Sequence, residues 1–174
     1  MSIGSDLMFL DTCVLQMFAD SRDILRKRYS IRTGSIDSSL RKNRGALVAP
    51  MAAFGEVICK IRDKNGGRSV ETLVELNRLL DRCIIVPFYI KNGYDTFGVA
   101  KKMTERNPDE RDNISPMDAF IIASAITEPR CRTLLTSDST LTFNPRLSEI
   151  ANDYREQHGY DPFSIRNVDE ILKK

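Results

Sequence analysis

Short apolar runs alternate along this chain with longer segments of helical periodicity, and that alternation restricts its possible architectures more than any other feature. The runs at 7–10, 46–49, 83–86, 132–135 and 163–165 are too short for helices and are bounded by turn residues or prolines, which marks them as strands. Between them, apolar residues recur at helical spacing. Val14, Leu15, Phe18, Ile24 and Leu25 follow the first strand, and Met51, Phe54, Ile58 and Ile61 follow the second, with Pro50 suited to the first helical position. Helices are further expected at about 69–80, after the Asn65-Gly66-Gly67 break, and at about 92–106, 115–126 and 145–158, with a short one from 167. The strands read as continuous apolar runs, as in sheets buried on both faces. The expected fold is a three-layer α/β/α domain with a mostly parallel central sheet of four to five strands, one domain over residues 1–174.

In open parallel sheets functional groups collect at the carboxyl ends of the strands. Asp11 stands directly after the first run, and Asp138 follows Thr136-Ser137 after the fourth. Asp118 and Glu56 lie in the opening turns of two helices. Carboxylates held close raise one another's pKa, and a divalent cation is the usual reason to gather them. Asp11, Glu56, Asp118 and Asp138 are therefore the candidate catalytic and metal-ligating residues, and their chemistry points to metal-dependent hydrolysis of a phosphodiester. Periodicity places three of them; Glu56 enters chiefly through the resemblance given below.

Each acid also has an ordinary structural role open to it. Asp11 can cap the following helix. Ser115-Pro116-Met117-Asp118 has the pattern of a capping box with proline at the first helical position, and a helix N-terminus favours negative charge. Those roles are compatible with metal binding, since a cap leaves one carboxylate oxygen free. The small apolar residues from Ala119 to Ala125 predict that this helix is buried. Glu56 falls roughly opposite the Met51/Phe54/Ile58/Ile61 stripe and has Lys60 four residues on, as in a surface ion pair. Ala52, Ala53 and Gly55 in the same turns would let another element approach closely. Asp138 sits in a turn where Ser and Asp make local hydrogen bonds.

Other chemistries lack their parts. The one histidine, His158, lies late in a polar helix and is expected at the surface, which removes serine and cysteine triads and histidine-rich zinc sites. No glycine-rich phosphate loop is present. Aspartyl-phosphate chemistry at Asp11 would need a second acid beside it and a placed lysine, and Asp11-Thr12-Cys13 offers neither. The cysteines Cys13, Cys59, Cys83 and Cys131 form no metal-finger spacing and are expected to be free thiols, three of them among apolar neighbours, as in a reducing cytosol. With no basic segment leading into an apolar one at the start, and no apolar run near the ~20 residues that span a bilayer, the expected location is cytoplasmic, without a membrane partner. The net charge is only +2, but residues 22–44 carry eight basic side chains against two acidic ones. Within that stretch 29–45 reads as a basic insertion, and Arg26, Lys27, Arg28, Arg41, Lys42 and Arg44 are candidate RNA-binding residues, because an acidic site needs a basic rim to hold a polyanion.

With those residues assembled, the chain resembles the PIN-domain ribonucleases, VapC-like nucleases in the broad sense. The likeness rests on four motifs in the family's order over nearly the whole length: Phe9-Leu10-Asp11-Thr12, Glu56-Val57, Asp118-Ala119 with Ile121-Ile122-Ala123-Ser124-Ala125, and Thr136-Ser137-Asp138. The ending from Ser164 to Leu172 also resembles the family's last strand and short helix. Two features depart from the pattern. Thr140 stands where family members often carry a further acid, which removes a ligand from a second metal site. The chain is also longer than the compact VapC-type toxins, and the basic stretch accounts for much of the excess.

The resemblance implies a Mg2+- or Mn2+-dependent endoribonuclease. Asp11, Asp118 and Asp138 would hold the ion, Glu56 would complete the cluster, and Thr12 and Thr136 would orient ligands. It further implies RNA as substrate, either a toxin with an antitoxin protein or an RNA-processing enzyme, and a homodimer. Alternatives from other classes are a non-catalytic PIN-like module that binds RNA or protein, and a metal-dependent phosphatase.

Overall fold

In a computed structural model, residues 6–19, 45–64, 74, 77, 81, 83–86, 90–105 and 114–172 are described. Five strands and seven helices follow one another among them: β1 (Asp6–Leu10), α1 (Thr12–Ala19), β2 (Gly45–Pro50), α2 (Met51–Lys64), β3 (Ile84–Val86), α3 (Ile90–Thr104), α4 (Pro116–Thr127), β4 (Cys131–Thr136), α5 (Ser139–Thr142), α6 (Pro145–Gln157), β5 (Ser164–Asn167) and α7 (Val168–Leu172). The strands form one sheet in the order β3-β2-β1-β4-β5, and every neighbouring pair is parallel. This is the expected α/β/α architecture, with the sheet at the upper strand count.

The order places β1 at the centre and reverses direction there. The chain moves outward through β2 and β3, then returns to the other side of β1 with β4 and β5. Such a switch point opens a crevice beyond the carboxyl ends of the two strands flanking it, here β1 and β4. Their register pairs Leu10 with Leu135, so Asp11 and Thr136 emerge side by side.

Phe9 and Leu10 are adjacent in β1, so they point to opposite faces, and both are fully buried. The same is true of Val48 and Ala49 in β2 and of Leu134 and Leu135 in β4. The sheet is therefore covered on both sides. Burying each large aliphatic or aromatic side chain contributes roughly 1.5–3 kcal/mol. α4 is the most enclosed helix: Ala119, Ile121, Ile122, Ala123, Ala125 and Ile126 are all buried, and its polar Thr127 bonds Thr96 of α3 at 2.9 Å.

Arg155 of α6 is a buried cation held by backbone. It donates to the carbonyls of Ile126, Glu128, Pro129 and Asp161 at 2.6–3.1 Å, and its guanidinium lies 5.3 Å from the centre of the Tyr160 ring. It ties α6 to the turn between α4 and β4. Nothing in its sequence surroundings distinguishes it from the exposed arginines.

Several local expectations are corrected. Pro50 closes β2 instead of opening α2, which starts at Met51. The buried residues of α2 are Ala53 and Val57, while Met51 is 46% exposed. Phe54 and Ile58 of the expected stripe are half-buried and pack against the core, while the fully enclosed positions lie beside that stripe at Ala53 and Val57. Gly55 has open space where a Cβ would stand, so it permits no close approach. The turn expected around Asp138 continues into the single helical turn of α5. Of the helix expected at about 69–80 only 74 and 77 are described, both helical and exposed. Of the basic insertion expected at 29–45, Gly45 opens β2, while residues 29–44 and the candidate RNA-binding residues Arg26, Lys27, Arg28, Arg41, Lys42 and Arg44 lie outside the described residues. All four cysteines are free: Cys131 is buried, Cys13 and Cys83 are half-buried and Cys59 is exposed.

Candidate active site

Asp11 is the first residue beyond the central strand. Its N–H still donates to the Leu135 carbonyl of β4 at 2.9 Å, and its own carbonyl accepts from Val14 and Leu15, so the backbone of Asp11 caps α1. The side chain is buried. Its Oδ1 accepts from the Thr12 N–H at 2.7 Å, and its Oδ2 from the Thr136 hydroxyl at 2.8 Å and the Cys13 thiol at 3.0 Å. Burial pushes the Asp11 carboxyl above its ordinary value, the three donors pull it back down, and the charge of Asp118 pushes it up again. Asp11 and Asp118, far apart in sequence, thus lie in one another's field.

Glu56 reaches the same place from α2. The Thr12 hydroxyl donates to Glu56 Oε2 at 2.7 Å, and Lys60 Nζ stands 2.7 Å from Oε1. The i,i+4 ion pair expected of Glu56 forms, and its second oxygen is bound by Thr12, the residue next to Asp11. Its position follows from the most enclosed side of α2, where Ala53 and Val57 lie next to Glu56.

Asp118 is held by the box expected of it. Ser115 Oγ accepts from the Asp118 N–H at 3.1 Å and donates to Asp118 Oδ2 at 2.7 Å. The hydroxyl satisfies the carboxylate here, whereas the usual box turns the acid back onto a backbone N–H.

Asp138 is tied mainly to its own turn. It caps α5, with Oδ1 accepting from both the N–H and the hydroxyl of Thr140 at 2.8 and 2.7 Å. Its link to Asp11 runs through Thr136, whose hydroxyl accepts from the Asp138 N–H at 3.0 Å while donating to Asp11. Thr140, where an acid would have been a further ligand, instead clasps the carboxylate beside it.

Two participants were not singled out from sequence. Cys13 donates to Asp11, accepts from the Ser137 N–H at 3.0 Å and lies 3.3 Å from Thr136 Oγ1, joining the ends of β1 and β4. Burial and the Asp11 charge push its thiol up to about 11, so it is a proton donor at neutral pH. Lys60 brings a cation: desolvation pulls its pKa down, and the hydrogen bond and charge of Glu56, with Asp118 and Asp11 adding to them, together raise it above its ordinary value. A lysine four residues after a glutamate is too common to signal this from sequence.

Among the described residues, no three acidic, cysteine or histidine side chains stand together as a ready ligand set. The donor chemistry nevertheless fits a hard divalent ion, because the converging groups are carboxylate and hydroxyl oxygens, the kind Mg2+ and Mn2+ take. The fit lies in the kind of donor and in the shared field, not in a finished coordination geometry.

No protein-family model and no curated protein matches the sequence. Solved structures do. VapBC2 from Rickettsia felis, bound to a DNA fragment from its promoter, is similar with a TM-score of 0.57 at 13% identity, over 92% of this chain and 98% of the other. DNA-bound VapBC from Salmonella typhimurium gives 0.55 at 14%, over 93% and 98%. The chain has the PIN-like fold that the four motifs implied.

Proposed function

We propose, from that fold and the acids at its switch point, that the chain is a Mg2+- or Mn2+-dependent endoribonuclease. The observation carrying this reading is the linkage of Asp11, Thr12 and Glu56 at the carboxyl end of the central strand, with Asp118 acting electrostatically on Asp11. Asp11, Asp118 and Asp138 would hold the ion, and Glu56 would complete the cluster. The chemistry such an ion supplies is polarisation of a phosphoryl oxygen and activation of water for in-line attack.

The chain's own residues do the arranging. Thr12 holds Glu56 towards Asp11. Thr136 fixes Asp11 Oδ2 and anchors the turn that carries Asp138. Cys13 closes the site on its buried side and keeps its proton. These partners orient carboxylates in the way outer contacts tune a metal centre.

RNA as the substrate rests on the resemblance of the motifs, and the basic residues between 22 and 44 would grip its backbone. A toxin paired with an antitoxin protein is favoured over a processing enzyme, because the similar structures are VapBC assemblies. A homodimer belongs to the same reading. The alternative of a non-catalytic PIN-like module draws on one observation, the absence of a ready three-ligand set among the described residues.

Cleavage of a labelled RNA with Mn2+, by protein free of contaminating nucleases, separates these readings. Asp11→Asn should lower the rate by at least about a hundredfold, in proportion to the loss of a group acting on the transition state, and should leave the circular dichroism unchanged. Equal cleavage by the variant would remove the mechanism. A Mn2+ titration that leaves the melting temperature of the unmodified protein unchanged would favour the non-catalytic module.

A further inference from the structure

Both oxygens of Glu56 are committed, and the two commitments differ in kind. Oε2 accepts from Thr12, which is buried and fixed at the start of α1. Oε1 is paired with Lys60, whose side chain is 42% exposed on a flexible four-carbon stem. If Glu56 is to take a further cation, Lys60 is the partner able to leave. The ammonium also feels Asp118 and Asp11, so one charge answers three carboxylates drawn from α1's start, α2 and α4.

We propose that Lys60 is the resident counter-cation of the carboxylate cluster, occupying Glu56 until a divalent ion displaces it, so that Lys60 sets how tightly the site takes metal. This builds on the metal-dependent reading above. A +1 ammonium and a +2 ion in the same negative field repel one another, and the cluster cannot keep both at close range. The lysine therefore holds Glu56 before metal arrives and opposes its arrival. The role is one of positioning and affinity, distinct from ligation.

The test is the Mn2+ dissociation constant, measured by calorimetry at fixed pH and ionic strength on the full chain. Lys60→Met should bind Mn2+ about five- to tenfold more tightly than the unmodified protein, a range set by unit-charge repulsion discounted for exposure. Lys60→Arg, which keeps the charge, should stay within about twofold of the unmodified protein on the same reasoning. In a Glu56→Gln background the gain from Lys60→Met should shrink, because the ammonium then has no carboxylate holding it at that position and only its longer-range repulsion of the ion remains. A melting curve of each variant without metal checks that the fold persists. Equal or weaker binding by Lys60→Met overturns the proposal while leaving the metal site standing. Absence of Mn2+ binding in both proteins overturns the proposal and the metal-dependent reading together.

Discussion

At Asp11 one carboxylate serves two opposing demands. A position beyond the central strand puts it where strand ends converge, and it also removes the charge from water. Three donors offset part of that cost, yet burial still leaves the carboxyl above its ordinary value. The folded state then holds this proton more tightly than the unfolded state. Between the two pKa values the folded protein carries the extra proton, so metal-free stability falls as pH rises through that interval. Asp11→Asn lacks the titration. It should melt higher than the unmodified protein at neutral pH. The difference should vanish at pH values below the ordinary carboxylate range. Thermal melts of both proteins across acid to neutral pH check this; a variant less stable at neutral pH would mean that the hydrogen bonds to Asp11 outweigh its desolvation. Cys13 makes a second prediction at this scale. With a thiol pushed up to about 11 it should resist alkylation by iodoacetamide, as should buried Cys131, pushed up to about 12, while exposed Cys59 reacts first. Peptide mapping after brief labelling reads the order.

Among the elements, the helix starts do the positioning. α1 begins on the backbone of Asp11, α4 on Ser115, and α5 on Asp138. Three of the four acids therefore sit at or within one turn of a helix N-terminus, where the helix dipole favours negative charge. Ser115→Ala removes both the cap and the hydroxyl on Asp118. It should cost about 1 kcal/mol by urea unfolding and should weaken Mn2+ binding, whereas Ser115→Thr should retain both properties. This cap was legible in the sequence because Ser-Pro-x-Asp is a local pattern whose partners lie within one turn. The working side of α2 was not. Periodicity centred the buried side on the larger residues, of which Phe54 and Ile58 are half-buried against the core and Met51 is exposed, while the fully enclosed positions are Ala53 and Val57. Which side of a mixed helix is buried depends on the shape of what it meets.

For the molecule as a whole, the sheet order matters more than any single contact. The reversal at β1 brings Asp11 beside Thr136 across 125 residues of sequence separation. Arg155 helps keep the far end of the assembly together, through carbonyls contributed by α4's end, the following turn and the approach to β5. Arg155→Met would leave those carbonyls without their donor. We expect a loss of roughly 3 kcal/mol or more, as for other broken buried-charge networks, which is about 10 °C in melting temperature. The acids lie at the opposite, carboxyl end of the strands, so Mn2+ affinity of the folded variant should be unchanged. A normal melting temperature would mean that water replaces the guanidinium. Among the described residues no helix is long and apolar enough to cross a membrane.

The sequence by itself determined the alternation of strands and helices, the parallel sheet, the cap before Asp118 and the places of Asp11 and Asp138 after their strands. These follow from short-range rules, in which periodicity, turn residues and caps act within a few positions of one another. Only the tertiary structure decided that Glu56 meets Thr12, that Lys60 joins the acids, that Cys13 bridges two strand ends and that Arg155 is buried. Each depends on which strands become neighbours and which helix side faces inward, and those choices are made by packing across the whole chain.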